Sequence, residues 1–301
     1  MIYAEILKDA LGGDRKSLAR CISLIENEAE GYEEMMEILP PSNVPIIGIT
    51  GPPGAGKSTI TDQLIHLLIT ENKKVAVLCI DPSSPFHKGA LLGDRIRMSR
   101  WFDNANVFIR SLAGKGSLGG LSPKVIEISD LLKASGFDYI IIETIGVGQN
   151  EIEIASLADT TVVVLVPEGG DEIQTMKAGL MEVADIFVVN KCDRSGADTF
   201  VKTLKGMLAP AFSAKKEEVQ IIKTAASKNE GITELYDAIK KAMAGQSFND
   251  KKSRLYAEKL YLLLVKNRMK DVDVKKLEEE MGAMIKLNTF NFYQYLKSYI
   301  R

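Results

Sequence analysis

The sequence predicts an α/β fold, a mostly parallel sheet covered by helices, with helical extensions at both ends. Three observations predict it. Between residues 43 and 245, the short runs VPIIGIT, KKVAVLCI, NVFIRS, FDYIIIE, DTTVVVLV, DIFVVN and VQIIKTA alternate with stretches of helical spacing. These runs are apolar almost throughout instead of at every second position, as strands are when both faces of a parallel sheet are covered. Outside that stretch, residues 1–42 carry helical spacing and the differently composed residues 246–301 read as a helical extension.

The elements follow in chain order. In residues 1–42, Leu18, Cys21, Ile22 and Ile25 recur at the steps of one helix face, and Pro40 with Pro41 breaks the pattern. Residues 43–245 make the sheet domain, and a ligand of such a sheet sits at the C-terminal ends of its strands. Composition then changes: residues 251–301 hold 12 Lys or Arg against 6 Asp or Glu, with the aromatic run TFNFYQYLKSYI near the end. This last stretch reads either as a helical appendage with solvated charges or as a dimer or partner surface.

Composition excludes several classes. Of 301 residues, 46% are hydrophobic and 26% charged, which suits a buried core. A net charge of −2 sets up no strong field for nucleic acid, and none is expected as a partner. The apolar runs fall far short of the roughly 20 residues a membrane helix needs, so no membrane partner is expected. Three cysteines without CxxC spacing and two histidines argue against a structural metal and for a reducing compartment. The start MIYAEILKDALGGD has early acidic residues and no basic leader, so the expected location is cytoplasmic.

Two motifs carry chemistry. GPPGAGKST, residues 51–59, matches GxxxxGK(S/T) between a predicted strand and a predicted helix, the context a phosphate-binding loop requires. Gly51, Pro53, Gly54, Ala55, Gly56, Lys57, Ser58 and Thr59 are the expected cradle: backbone N–H groups wrap the phosphates, Lys57 reaches the β and γ phosphates, and the Ser58 hydroxyl coordinates Mg²⁺. At the end of a later strand stands Asn190-Lys191-Cys192-Asp193. A carboxylate at Asp193 accepts two N–H bonds from a guanine edge, a pair that adenine lacks, while the stem of Lys191 packs along the base. The two motifs together predict a P-loop NTPase domain that takes GTP and GDP with Mg²⁺.

Between the motifs lie the candidates that would sense the γ-phosphate. Asp81 follows VAVLCI, Asp94 and Arg95 close the loop after it, and Glu143 ends YIIIE ahead of Gly146. Asp81, Asp94 and Glu143 are expected, with Ser58, around Mg²⁺, and the Gly146 N–H at the γ-phosphate; Asp94 beside Arg95 also reads as a plain surface pair. Gln149 is the candidate to orient a hydrolytic water, with a helix cap or surface amide as the other reading. Lys177, in the expected loop that begins with PEGGDE, is a further catalytic candidate or simply a solvent-facing lysine.

The combination GPPGAGKST, DPSSP with LLGDR, GSLGG, ETIGVGQNE, PEGGDEIQ and NKCDRSGAD resembles the MeaB/ArgK family of P-loop GTPases, in order from about residue 46 to 197. The resemblance implies a G-protein chaperone whose GTP hydrolysis gates adenosylcobalamin loading and protects an adenosylcobalamin-dependent acyl-CoA mutase such as methylmalonyl-CoA mutase. It also implies a homodimer formed through C-terminal helices, and three switch segments: residues 81–94, the loop after Glu143, and PEGGDE. Where such proteins usually carry Ser-Ala against guanine O6, this chain has Thr224-Ala225-Ala226-Ser227, so Ala225 and Ala226 are expected to contact the base through their backbone. Switch I reads His87-Lys88-Gly89-Ala90 in place of a glycine pair. Two alternatives share the scaffold: a nickel or cobalt metallochaperone GTPase, which needs thiol or histidine ligands, and a small-molecule kinase.

Overall fold

The computed structural model describes residues 2–82, 98–114, 124–144, 150–168, 181, 184–212, 220–245, 250–287 and 289–299. Three helices come first: α1 (Ile2–Leu11), α2 (Arg15–Glu26) and α3 (Tyr32–Glu37). Asp14 caps α2 by accepting the Ser17 N–H at 2.6 Å, a bond that lowers its pKa below the ordinary carboxylate value. The apolar face read from the sequence, Leu18, Cys21, Ile22 and Ile25, is buried.

The sheet is built from β1 (Ile46–Thr50), β2 (Val75–Pro82), β3 (Val107–Gly114), β4 (Tyr139–Thr144), β5 (Thr160–Leu165), β6 (Ile186–Val189) and β7 (Gln220–Lys223). They lie in the order β3-β2-β4-β1-β5-β6-β7. Every pairing is parallel. The expected parallel α/β sheet is therefore present. Among the described residues five helices accompany it: α4 (Lys57–Thr70), α5 (Val125–Ala134), α6 (Asn150–Leu157), α7 (Ala197–Phe212) and α8 (Ile232–Gly245). On one face Ile60, Leu64 and Leu68 of α4 and Leu235 and Ile239 of α8 join Ile47, Ile49, Val162 and Val188 in one core. The next residues along β5 and β6, Val163, Leu165, Phe187 and Val189, point the other way and pack with Phe200, Leu204 and Leu208 of α7. That alternation explains why the strands read as continuous apolar runs.

The N-terminal helices dock on the β3 edge and on α5. Arg15 donates to the carbonyls of Asn104 and Val107, and Arg110 pairs with Glu26 at 2.5 Å. Lys124 is 5% exposed. Its ammonium donates to the Tyr32 hydroxyl at 3.0 Å and pairs with Glu28 at 3.1 Å. Burial alone would pull the Lys124 pKa down, but the bonds to Tyr32 and Glu28 and the field of Glu127 outweigh it and raise the pKa.

By contact the chain divides into two compact units, Met1–Asn249 and Asp250–Arg301. The second consists of α9 (Asp250–Arg268), α10 (Val274–Lys286) and α11 (Phe292–Tyr299). Asp273 caps α10 by accepting the Lys275 N–H at 2.9 Å, and Tyr295 on α11 donates to Glu280 on α10 at 2.5 Å. Among the described residues no helix is long and apolar enough to cross a membrane.

Candidate functional site

The central strand β1 has β4 on one side and β5 on the other, and the glycine-rich loop leaves its C-terminal end. Gly51 turns with φ +133°, and a Cβ there would lie 2.1 Å from the Val164 carbonyl oxygen on β5. Gly56 has φ +92°, and its Cβ would lie 2.2 Å from Asn190 Nδ2. Both positions therefore demand glycine, the first to clear a neighbouring strand and the second to clear the base loop. The Lys57 ammonium, on a residue 6% exposed, donates to the carbonyls of Gly51 at 2.8 Å and Pro52 at 2.9 Å. Lys57 is thus drawn over the loop, with its charge at the place where phosphates would lie. Ala55 is buried, whereas Pro53, Gly54 and the Thr59 side chain are exposed.

Glu143, the last but one residue of β4, lies in register with Ile49 of β1 and is 4% exposed. Ser58 Oγ donates to its Oε1 at 2.6 Å, and Thr61 Oγ1 donates to its Oε2 at 2.8 Å. Beside them the Thr144 hydroxyl donates to the Thr50 hydroxyl at 2.9 Å, tying the last residue of β4 to the residue before Gly51. A hydroxyl next to a carboxylate is a hard-oxygen donor set. It fits Mg²⁺, which is held at nucleotide sites by one or two protein oxygens together with phosphate oxygens. Because the Ser58 proton goes to Glu143, the lone pairs of Oγ stay available to a cation.

The base loop is built around Asn190, which is 3% exposed. Its Nδ2 donates to the Ala55 carbonyl at 2.9 Å, while its Oδ1 accepts the Thr224 hydroxyl at 3.0 Å and the Ala226 N–H at 3.1 Å. One amide thereby joins the phosphate loop to the segment after β7. Lys191, in the left-handed region at φ +57°, donates to the Gly54 carbonyl at 2.8 Å. The Asp193 carboxylate pairs with the Lys228 ammonium at 2.9 Å. That hydrogen bond holds its pKa below the ordinary value. The Ala225 N–H is committed to the Glu230 carbonyl at 3.1 Å. Next to the loop, Arg194 pairs with Glu168 at 2.5 Å, which lowers the Glu168 pKa.

Lys57, Ser58, Glu143, Asn190, Lys191, Asp193, Ala225 and Ala226 therefore gather at the C-terminal ends of β1, β4, β6 and β7. Asp81 is placed by its backbone alone, near the end of β2 opposite Ala113. Asp94, Gly146, Gln149 and Lys177 lie outside the described residues. Sequence reasoning missed Thr61, Thr50, Thr144 and Lys228. For Thr61 one signal existed, because it follows Ser58 by three residues and so shares its helix face.

The comparisons agree with this geometry. A model of the family described as methylmalonyl-CoA mutase-associated GTPase MeaB matches residues 18–278. A Pyrococcus abyssi protein with a provisional GTPase name is 44% identical over 287 residues, 93% of this chain and 83% of that protein. Escherichia coli GTPase ArgK is 37% identical, over 78% of this chain and 74% of ArgK. The mouse protein named methylmalonic aciduria type A homolog, mitochondrial, is 33% identical over 79% of this chain and 61% of its own length. A crystal structure of a LAO/AO transport system kinase superposes with a TM-score of 0.68 at 27% identity, covering 98% of this chain and 95% of the other. The phosphate loop, the carboxylate beside Ser58 and the base loop thus stand on the scaffold of their relatives, and the chain belongs to the MeaB family of P-loop GTPases.

Proposed function

We propose that this GTPase works with Mg²⁺ as a G-protein chaperone, its GTP cycle gating adenosylcobalamin loading into an acyl-CoA mutase of the methylmalonyl-CoA type and protecting it. The observation that carries the reading is the joining of three parts through β1: phosphate loop, Glu143 corner and Asn190 hub. Mg²⁺, when bound, would supply positive charge that offsets the charge of the phosphates. Ser58 and Glu143 would hold it, the first through Oγ, the second by keeping the Ser58 proton. Lys57 would leave the loop carbonyls for the β and γ phosphates, and Asp193 would accept the two guanine N–H groups.

Glu143 and Thr144 immediately precede in sequence the residues that include Gly146 and Gln149. A change at the γ-phosphate would therefore act first on a carboxylate already tied to Ser58 and Thr61, and through it on the residues that follow. Residues 81–94 and PEGGDE would be the other two switch segments. Intrinsic hydrolysis would be slow, near the ~10⁻⁴ per second of an isolated Ras-type site, with acceleration by the client. The apolar surface of α9–α11 supports a homodimer formed through the C-terminal unit. Cys21, Cys79 and Cys192 form no disulfide, which suits a reducing, cytoplasmic setting.

The experiment is a pull-down from the source cell with the full chain loaded with a non-hydrolysable GTP analogue. A cobalamin-dependent mutase should be retained, and the Lys57→Ala variant, which cannot hold the nucleotide tightly, should lose it. Recovery of equal mutase by parent and variant, or of none by either, would count against the chaperone reading.

A further inference from the structure

The Glu143 carboxylate is gripped from both sides by one helix. Ser58 and Thr61 stand three residues apart on α4, 7% and 0% exposed, and each gives its hydroxyl proton to a different oxygen of Glu143. A threonine inside a helix commonly bonds back to the carbonyl one turn earlier. The Thr61 hydroxyl instead reaches across to the end of β4, 82 positions along the chain, at 2.8 Å.

We propose that Thr61 is a positioning residue of the magnesium corner: by holding Glu143 Oε2 it turns Oε1 toward Ser58 and the phosphate side. The reason lies in the side chain. Glutamate has one methylene more than aspartate, and its terminal torsion is broad and roughly two-fold. One hydroxyl on Oε1 and another on Oε2 together set the carboxylate plane about that torsion. Thr61 is thus the counterpart of having a longer acid at this strand end. Its hydroxyl touches Glu143, and through Glu143 it sets the geometry in which Ser58 meets the cation.

This inference rests on the magnesium-dependent reading of the site, so its test includes Glu143 itself. The measurement is release of a fluorescent GDP from the full-length protein, followed against free Mg²⁺ and in EDTA. In Thr61→Val, which keeps the shape and removes the hydroxyl, half-maximal retention should need about tenfold more Mg²⁺, roughly the effect of one hydrogen bond to a charged group. Release in EDTA should match the parent within about twofold, and Thr61→Ser should restore the parent midpoint. Thr61→Cys keeps the packing with a weaker donor and should fall between, which preserves the test if the valine variant folds poorly. A role limited to stability would lower the melting temperature and leave the Mg²⁺ midpoint in place. Parent midpoints in Thr61→Val or Thr61→Cys beside a shifted Glu143→Gln would overturn the positioning role alone. An unshifted Glu143→Gln would overturn the magnesium corner and the positioning role with it.

Discussion

The Asp193 side chain is 32% exposed and lies 2.9 Å from the Lys228 ammonium. The Lys228 hydrogen bond is the largest cause of its lowered pKa. A depressed folded pKa means that the ion pair contributes in full above the ordinary value of 3.8 and is lost only as pH falls through the lowered one. A carboxylate offers about four lone-pair positions, so Lys228 and two guanine N–H groups can share it. Preference for GTP over ATP should therefore stay level from about pH 8 to pH 5 as far as this group is concerned. Asp193→Asn should lower it by roughly 10- to 100-fold, the range for losing a hydrogen bond to a charged group. Competition binding with both nucleotides checks this, and an unchanged preference in Asp193→Asn would remove Asp193 from base recognition. Lys57, Asn190 and Asp193 were legible in the sequence because their motifs are contiguous and sit at strand ends. Lys228 and Thr61 were harder to read, because an ammonium in a short 3-10 turn and a hydroxyl inside a helix take their roles from partners far along the chain, Asp193 in the base loop and Glu143 on β4.

At the scale of elements, α4 carries two loads on opposite sides. Ile60, Leu64, Ile65 and Leu68 are fully buried. Asp62 accepts from the Arg100 guanidinium at 2.6 and 2.8 Å and from the Trp101 indole at 2.7 Å, so the helix also anchors the turn before β3. The same helix presents Lys57 and Ser58, which makes core packing and phosphate geometry one mechanical problem. Leu64→Ala should cost about 2–5 kcal/mol, because a buried leucine leaves a cavity that its neighbours fill only in part. Urea denaturation should show a lower midpoint with the slope unchanged. A loss under about 0.5 kcal/mol would mean that α4 is not held by this face. The strands and α4 were readable from apolar runs and from the motif at the helix start. The seat of α1–α3 was not, since it depends on Arg15, Arg110 and Lys124 finding carbonyls and carboxylates that no local pattern announces.

At the scale of the whole molecule, the two units differ in how they treat apolar side chains. In the sheet unit they are buried in bulk. In the C-terminal unit Tyr261, Leu262, Val274, Ile285, Leu287 and Tyr293 are all more than half exposed, and α10 buries none of its residues. Isolated exposed leucines mean little, but this many in the three helices of one unit are expensive to leave in water and point to covering by another surface. Burial of apolar area is insensitive to screening, whereas the 12 basic against 6 acidic residues of 251–301 would make a purely electrostatic association weaken with salt. Under the proposed homodimer, sedimentation of the full chain should give a dimer that persists at about 1 M salt, well beyond the range of surface ion pairs. Leu262→Glu together with Tyr293→Glu should shift it to monomer while nucleotide binding at the C-terminal ends of the strands survives. A parent chain that sediments as a monomer across the micromolar range would rule out the C-terminal unit as a self-association surface and leave a client protein as its cover.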